Sequence, residues 1–315
     1  MHTRWRSLKT QLKREAWLHA FALTGIVFLL IFRYAPMVGV IIAFKDYDFL
    51  DGFLGFFTSP WVGLKHFREF VNDFRFSNIL TNTLAISILK TVFAFPMPIL
   101  FAIALNEIRS TRFKRTLQTV SYFPHFISWV VVSGLAFALF STEFGAINNI
   151  LLGLGLIERP LTILTDPDAF WTLAVVTDIW KSMGWWAIIF IAAIAGIDPN
   201  LYEAAEIDGA GRLARIRHVT LPGIRGAIVV VLVLSLGNLL GGGVSGSNFE
   251  QAYLLGNTLN NERSEIIQTF VVKVGLRDGR FDFAAAVGLM QAFISLILIL
   301  TSNRVAKRVS GSALF

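Results

Sequence analysis

Few residues in this 315-residue chain have the type and spacing to do chemistry. There is no Cys, which removes thiol nucleophiles, disulfides and thiolate metal sites. The five His (His2, His19, His66, His125, His218) stand singly, so no H-E-x-x-H metal pair exists. No G-x-x-x-x-G-K-[ST] occurs, so the chain has no P-loop for nucleotide hydrolysis. Gly243-Val244-Ser245-Gly246-Ser247 misses the register of a nucleophile elbow by one residue. Asp46-x-Asp48-x-x-Asp51-Gly52 lacks the spacing and closing Glu of a calcium loop, and reads as a solvated turn. What remains is charge inside apolar stretches. Lys90 sits in the middle of one, and Asp178 and Lys181 lie three apart on one helical face, where each can neutralise the other. Trp180, Trp185 and Trp186 flank them. A charge in lipid costs about 2.5–3.5 kcal/mol on insertion scales, which makes these residues functional suspects. Two readings stand: a polar path with ring faces suited to sugars, or ion-pair glue within a bundle.

The elements that must position these groups follow from composition. Hydrophobic residues make up 55% and charged residues 16% of the chain. Soluble domains run at about 45–50% and about 25%, so lipid is the solvent here. The 29 Phe and 8 Trp exclude intrinsic disorder. A net charge of +7 fits basic cytoplasmic loops better than nucleic-acid binding. A membrane span needs about 20 apolar residues. Leu18–Phe44, Ile79–Leu105, Leu117–Phe140, Ala169–Ile197, Ile224–Leu240 and Phe283–Ser302 qualify. Lys and Arg crowd the short segments on one side of these spans, including Arg109 to Arg115 and Arg212 to Arg217, and thin out over the longer loops opposite. The positive-inside rule then predicts both termini in the cytoplasm.

The expected architecture is an all-α membrane protein of six transmembrane helices. A cytoplasmic amphipathic helix over 1–17, carrying Trp5, Leu8, Leu12 and Ala16, precedes a transmembrane domain over 18–302 and a cytoplasmic tail over 303–315. No small-x-small cleavage site follows the first apolar run, which reads as a retained anchor. Arg33 is expected at a span end, snorkelling. Leu64, Phe67, Phe70, Val71 and Phe74 predict a short amphipathic helix on the outer face.

The most informative segment joins the fourth and fifth spans. It reads Asp198-Pro199-Asn200-Leu201-Tyr202-Glu203-Ala204-Ala205-Glu206-Ile207-Asp208-Gly209, then continues through Arg212, Arg215, Arg217 and His218 to Leu221-Pro222. Asp198 is a helix cap, Pro199 suits the first helical position, and Gly209 ends the helix. A second short helix brings the chain back to Pro222, which fixes φ at the base. The result is a helical hairpin over 198–222 whose small Ala204 and Ala205 let a partner approach the backbone closely.

These residues resemble a known family. Glu203-Ala204-Ala205 and Gly209, followed by Val219-x-Leu221-Pro222, is similar to the hallmark of the membrane subunit of type I bacterial ABC importers. Tyr34-x-Pro36-Met37-x-Gly39, Gly145-x-Ile147-Asn148, Trp180-Lys181-x-x-Gly184-Trp185 and Phe249-Glu250-Gln251-x-Tyr253 extend the likeness to permeases for complex oligosaccharides, most of all the first of two alginate-importer membrane subunits. The resemblance implies the type I permease fold and a heterodimeric or homodimeric pore made with a second permease subunit. It implies two ATP-binding cassette subunits, which carry the ATP and Mg, and an extracytoplasmic solute-binding protein. This chain would itself hold no cofactor and catalyse nothing.

By the same resemblance Glu203, Ala204, Ala205, Asp208, Gly209, Leu221 and Pro222 couple to the ATPase, and the cargo is an acidic, alginate-like oligosaccharide. Trp180, Lys181, Asn238, Gln251 and Tyr253 are the candidates for the substrate path, on polarity and span position. Two features depart from the family pattern: Arg215 and Arg217 stand where hydrophobic anchors are common, and Gly241-Gly242-Gly243 is expected to loosen the end of span five. An ion-gradient-driven secondary transporter is the alternative, but it predicts inverted repeats that are not visible and gives the hairpin no role. A membrane-bound sugar transferase would need paired carboxylates or a metal cluster, and the spacing provides neither.

Overall fold

A computed structural model describes residues 15–243 and 245–310. Trp5, Leu8 and Leu12 lie outside the described residues. Among the described residues the chain is helical, and the one β feature is an isolated antiparallel bridge between Lys45 and Trp61. Among the described residues four helices are long and apolar enough to cross a membrane unbroken: Ala16–Phe44, Phe76–Glu107, Pro167–Ala195 and Phe281–Thr301. Two further spans are bent pairs. Thr111–Phe126 meets Trp129–Phe140 at 102°, and Arg212–Gly223 meets Arg225–Gly237 at 61°.

The third span is therefore not the straight stretch Leu117–Phe140 that hydropathy predicts. Pro124 tightens the chain into a 3-10 turn over Phe123–Phe126. Ser128 then turns extended and its hydroxyl accepts the Val131 N–H at 3.3 Å, which starts a new helix in a new direction. One other expectation needs correction: the first helix runs through Arg33 to Phe44, so Arg33 does not mark its end. The apolar part of the last helix covers Phe281–Thr301 and the helix itself continues to Ser310, so the segment after the span begins as helix.

Prolines shape the long helices in a consistent way. A proline has no N–H and its ring crowds the carbonyl four residues back. The helices absorb this by widening one turn just upstream. Leu30–Tyr34 precedes Pro36, Lys90–Ala94 precedes Pro96, and Ile216–Thr220 precedes Pro222, each as a π-helical turn. In each case the residue before the proline reaches back five residues: Ala35 to Leu30, Phe95 to Lys90, and Leu221 to Ile216. The helices thus continue through Pro36 and Pro96 without breaking, whereas the chain bends by 61° just after Pro222.

The chain divides into two compact units, Met1–Phe70 with Val274–Leu289, and Val71–Lys273 with Met290–Phe315. In the first, the short helix Lys65–Val71 buries Phe70 against the Phe283 ring at 6.2 Å. Arg280 clamps this helix, placing Nη1 and Nη2 2.7 and 2.8 Å from the two Glu69 oxygens. That bidentate bond holds the Glu69 carboxyl below its ordinary range and raises Arg280 further. The helix expected to reach Phe74 stops at Val71.

The second unit has two apolar cores. One joins Ile86, Ala136, Phe170 and Leu173 to Ala252 and Leu255. The other joins Ile99, Ala102 and Ile103 to Ala187, Phe190 and Ile224. Between the cores, Thr111–Tyr122 crosses Pro167–Ala195 so closely that a Cβ on Gly184 would collide with the Ser121 backbone carbonyl.

Candidate functional site

The loop between spans four and five folds as its residues dictate. Asp198 accepts the Asn200 N–H at 3.0 Å, and Pro199 opens the helix Pro199–Ile207. Gly209, at φ +76°, closes it: its N–H bonds to Glu206 and that of Ala210 to Ala205. This pair of bonds satisfies the carbonyls left over at a helix end. The return arm Arg212–Gly223 is tied to the first by Tyr202 and Thr220, whose hydroxyls lie 3.0 Å apart. An exposed Arg215–Glu206 pair at 3.4 Å adds a second, weaker link.

The base of this hairpin is tightly packed. A Cβ on Gly223 would lie 2.6 Å from Ile197 Cδ1, and the next residue, Ile224, is buried in the second core. Its far end is open. Glu203, Ala204, Asp208 and Gly209 are exposed, Ala205 is half-buried, and Leu221 and Pro222 are exposed on the return arm. Ile207 is 86% and Leu213 79% exposed, apolar side chains with nothing of this chain over them. Arg215 is half-buried and Arg217 exposed, and the hairpin also carries the apolar surface of Ile207 and Leu213. A rigid root and an open apolar tip suit a part that another protein grips and pushes.

The buried charges pair differently from the sequence expectation. Asp178 does not turn to Lys181. It lies 3.8 Å from Lys90 on the second span and accepts the Ser247 hydroxyl at 2.7 Å. Lys90 also donates to Ser247 Oγ at 2.9 Å and to the Gln251 carbonyl oxygen. Gln251 in turn donates to the Ala174 carbonyl at 2.8 Å and Thr177 Oγ1 at 2.9 Å. Lys181 is used elsewhere. Its ammonium caps the His125 carbonyl at 2.6 Å, at the break in span three, and lies 5.7 Å from the Trp129 ring. A cation there meets the negative end of a helix dipole.

The segment bearing Ser247 and Gln251 follows a sharp reversal. Gly242, Gly243 and Gly246 have φ of +105°, +66° and +62°. A Cβ at Gly242 would sit 2.8 Å from Asn248 Oδ1. The glycine run is therefore a tight turn rather than a loosened span end, and it returns Asn248–Leu255 into the first core. Asn238 belongs to this turn, donating to the Gly243 carbonyl at 2.9 Å. Of the substrate-path candidates, Lys181, Asn238 and Gln251 thus commit polar atoms to backbone carbonyls. Trp180 and Tyr253 keep exposed faces, the latter stacked on Phe249 at 5.4 Å. Ser247, missed in the sequence, completes the Lys90–Asp178 network; the signal for such a partner was the mid-span position of Lys90 itself.

Residues 94–311, which hold the hairpin and most of the spans, match the family described as binding-protein-dependent transport system inner membrane component. The chain belongs to that family. It is 41% identical over 304 residues to protein LplB of Bacillus subtilis (strain 168), covering 96% of this chain and 92% of that protein. It is also 41% identical over 310 residues to the polygalacturonan/rhamnogalacturonan transport system permease protein YteP of the same organism, covering 98% and 94%. Among solved structures it is similar to a chain of a bacterial ABC transporter involved in the import of the acidic polysaccharide alginate. The TM-score is 0.87 at 36% identity, over 96% of this chain and 99% of that one. The fold is thus that of a type I ABC permease, a membrane transport subunit of an ATP-driven importer. The secondary-transporter alternative falls with that result.

Proposed function

We propose that this chain forms half of the pore of an importer for acidic oligosaccharides, gripped at its 198–222 hairpin by an ATPase subunit. The observation that carries the reading is the hairpin itself: capped by Asp198 and Gly209, rooted through Gly223 and Ile224, and apolar at its exposed tip. Closure of two ATPase subunits on ATP and Mg would draw this hairpin toward its counterpart on a second permease subunit. A rigid base passes that displacement into the spans, which switch from inward to outward opening. Nucleotide and loaded binding protein shift the equilibrium only in so far as each binds the two states unequally.

Both termini then lie in the cytoplasm with the hairpin, and the opposite face receives cargo from an external solute-binding protein. The cargo reading rests on two of the similar proteins, whose names give polygalacturonan/rhamnogalacturonan and the acidic polysaccharide alginate. Trp180 and Tyr253 keep ring faces suited to sugar stacking. The test is the ATPase rate of the reconstituted complex with binding protein loaded in turn with oligogalacturonate, alginate oligomers and neutral oligosaccharides. Stimulation by an acidic oligomer alone supports the reading. Stimulation confined to neutral sugars removes the acidic cargo, and activity without binding protein removes the importer cycle.

A further inference from the structure

The chain leaves the first span at Phe44 and returns to the same point eighteen residues later. Val62 N–H bonds to the Phe44 carbonyl at 2.8 Å and Asp46 N–H to that of Pro60 at 3.0 Å. Lys45 staples the lobe so formed. Its ammonium, folded inward on a 5% exposed residue, donates to the carbonyls of Phe56 and Phe57 at 2.8 and 3.1 Å and lies 5.4 Å from the Trp61 ring. This caps the end of a short helix, Gly52–Thr58, and fixes it to the end of the span.

The side chains on that lobe are the reverse of what water favours. Leu50, Phe53, Leu54 and Phe57 are 63–80% exposed. Phe53 and Phe57 pack edge to face at 5.4 Å, and Phe56 and Phe57 at 5.1 Å, so the rings support one another without a cover. Charged groups mark the root, where Asp46 pairs with Lys65 at 3.0 Å and Asp48 caps the turn at Leu50, and one further exposed carboxylate, Asp51, lies between Leu50 and Phe53. An apolar tip on a charged root, continuous with a span end, is the layout of an interfacial element.

We propose that the 45–62 lobe is a membrane wedge, with Leu50, Phe53, Leu54 and Phe57 inserted into the lipid headgroup–acyl boundary beside the first span. The occupant is lipid because the lobe's root is the end of a lipid-crossing helix and its staple leaves the ring cluster no freedom to move away from that surface. Each buried side chain of this kind contributes through the apolar area it removes from water. The wedge would fix the depth of the first span in the bilayer.

This chain has no Cys, so in an importer whose partner subunits are made Cys-free the label reports the chosen position alone. Single Leu50→Cys, Phe53→Cys, Leu54→Cys and Phe57→Cys variants of the purified importer are spin-labelled in proteoliposomes, with Glu158→Cys, exposed in the second unit, as a water control. Electron paramagnetic resonance then compares collisions with oxygen, which concentrates in lipid, and with a nickel chelate, which stays in water. Oxygen access exceeding nickel access at the four lobe positions, with the reverse at 158, supports the wedge. Nickel access equal to the control puts the lobe in water and overturns it. Low access to both reagents means that a protein surface covers the lobe, and equally overturns it.

Discussion

Lys90 and Asp178 allow the buried network to be tested by its energetics. Both are more than nine-tenths buried, at 3.8 Å separation. At an effective dielectric of about 20 their attraction is about 4 kcal/mol. Lys90→Met leaves Asp178 buried with only the Ser247 hydroxyl as donor, and a buried pair broken on one side costs about 3–5 kcal/mol. Asp178→Leu leaves the Lys90 ammonium without its counter-charge, held by the neutral oxygens of Ser247 and Gln251. The double variant removes both charges and keeps apolar bulk, so it should recover most of that loss. A shortfall of about 1–3 kcal/mol is expected from the Gln251 carbonyl that Lys90 no longer meets. The assay is the denaturant midpoint of purified protein in detergent, for both single variants and the double. Additive losses, with an interaction energy below about 0.5 kcal/mol, would refute the pairing.

Gly209→Ala places a Cβ at φ +76°, a conformation costing about 1–2 kcal/mol, yet meets no neighbouring atom. ATP hydrolysis by the assembled importer should persist while uptake of labelled oligosaccharide falls, and Gly226→Ala, on an open helical face, should leave both unchanged. Gly184→Ala must push Thr111–Tyr122 off Pro167–Ala195, so its thermal midpoint should drop by the equivalent of about 1–3 kcal/mol, and Gly288→Ala should not move. Glu69 titrates below its unfolded value because of Arg280, so its stabilisation is present at neutral pH and lost as pH falls through the folded pKa. The pair is about 40% exposed, which limits the effect to about 0.2–1 kcal/mol. The stability gap between wild type and Glu69→Gln should therefore narrow as pH falls from neutrality through and below the ordinary carboxylate range.

Where structure depends on neighbours in sequence, it could be read in advance. Asp198, Pro199 and Gly209 specify the hairpin through bonds spanning five residues or fewer, and each takes the position its type predicts. The bend after Phe126 escaped because an apolar window has no direction: Pro124 and Ser128 sit in a run that reads alike whether straight or broken. Asp178 was matched with Lys181 because spacing sees only the same helix, whereas its partner lies 88 positions away on another. The glycines at 242 and 243 looked like flexibility, yet positive φ and crowding by Asn248 and Ser235 make them obligatory.

The widened turns ahead of Pro36, Pro96 and Pro222 bear on how these spans tolerate changes in length. Losing one residue from an ordinary helical turn swings everything beyond it by about 100° and shortens the rod by about 1.5 Å. A π turn already holds one residue too many. Deleting Thr91 together with Pro96→Ala would convert that stretch to regular helix and return the downstream side chains to nearly their original bearings. The same deletion four turns away would present lipid with residues meant for the interior. Insertions and deletions in related chains should therefore accumulate at these three places and avoid the rest of the spans.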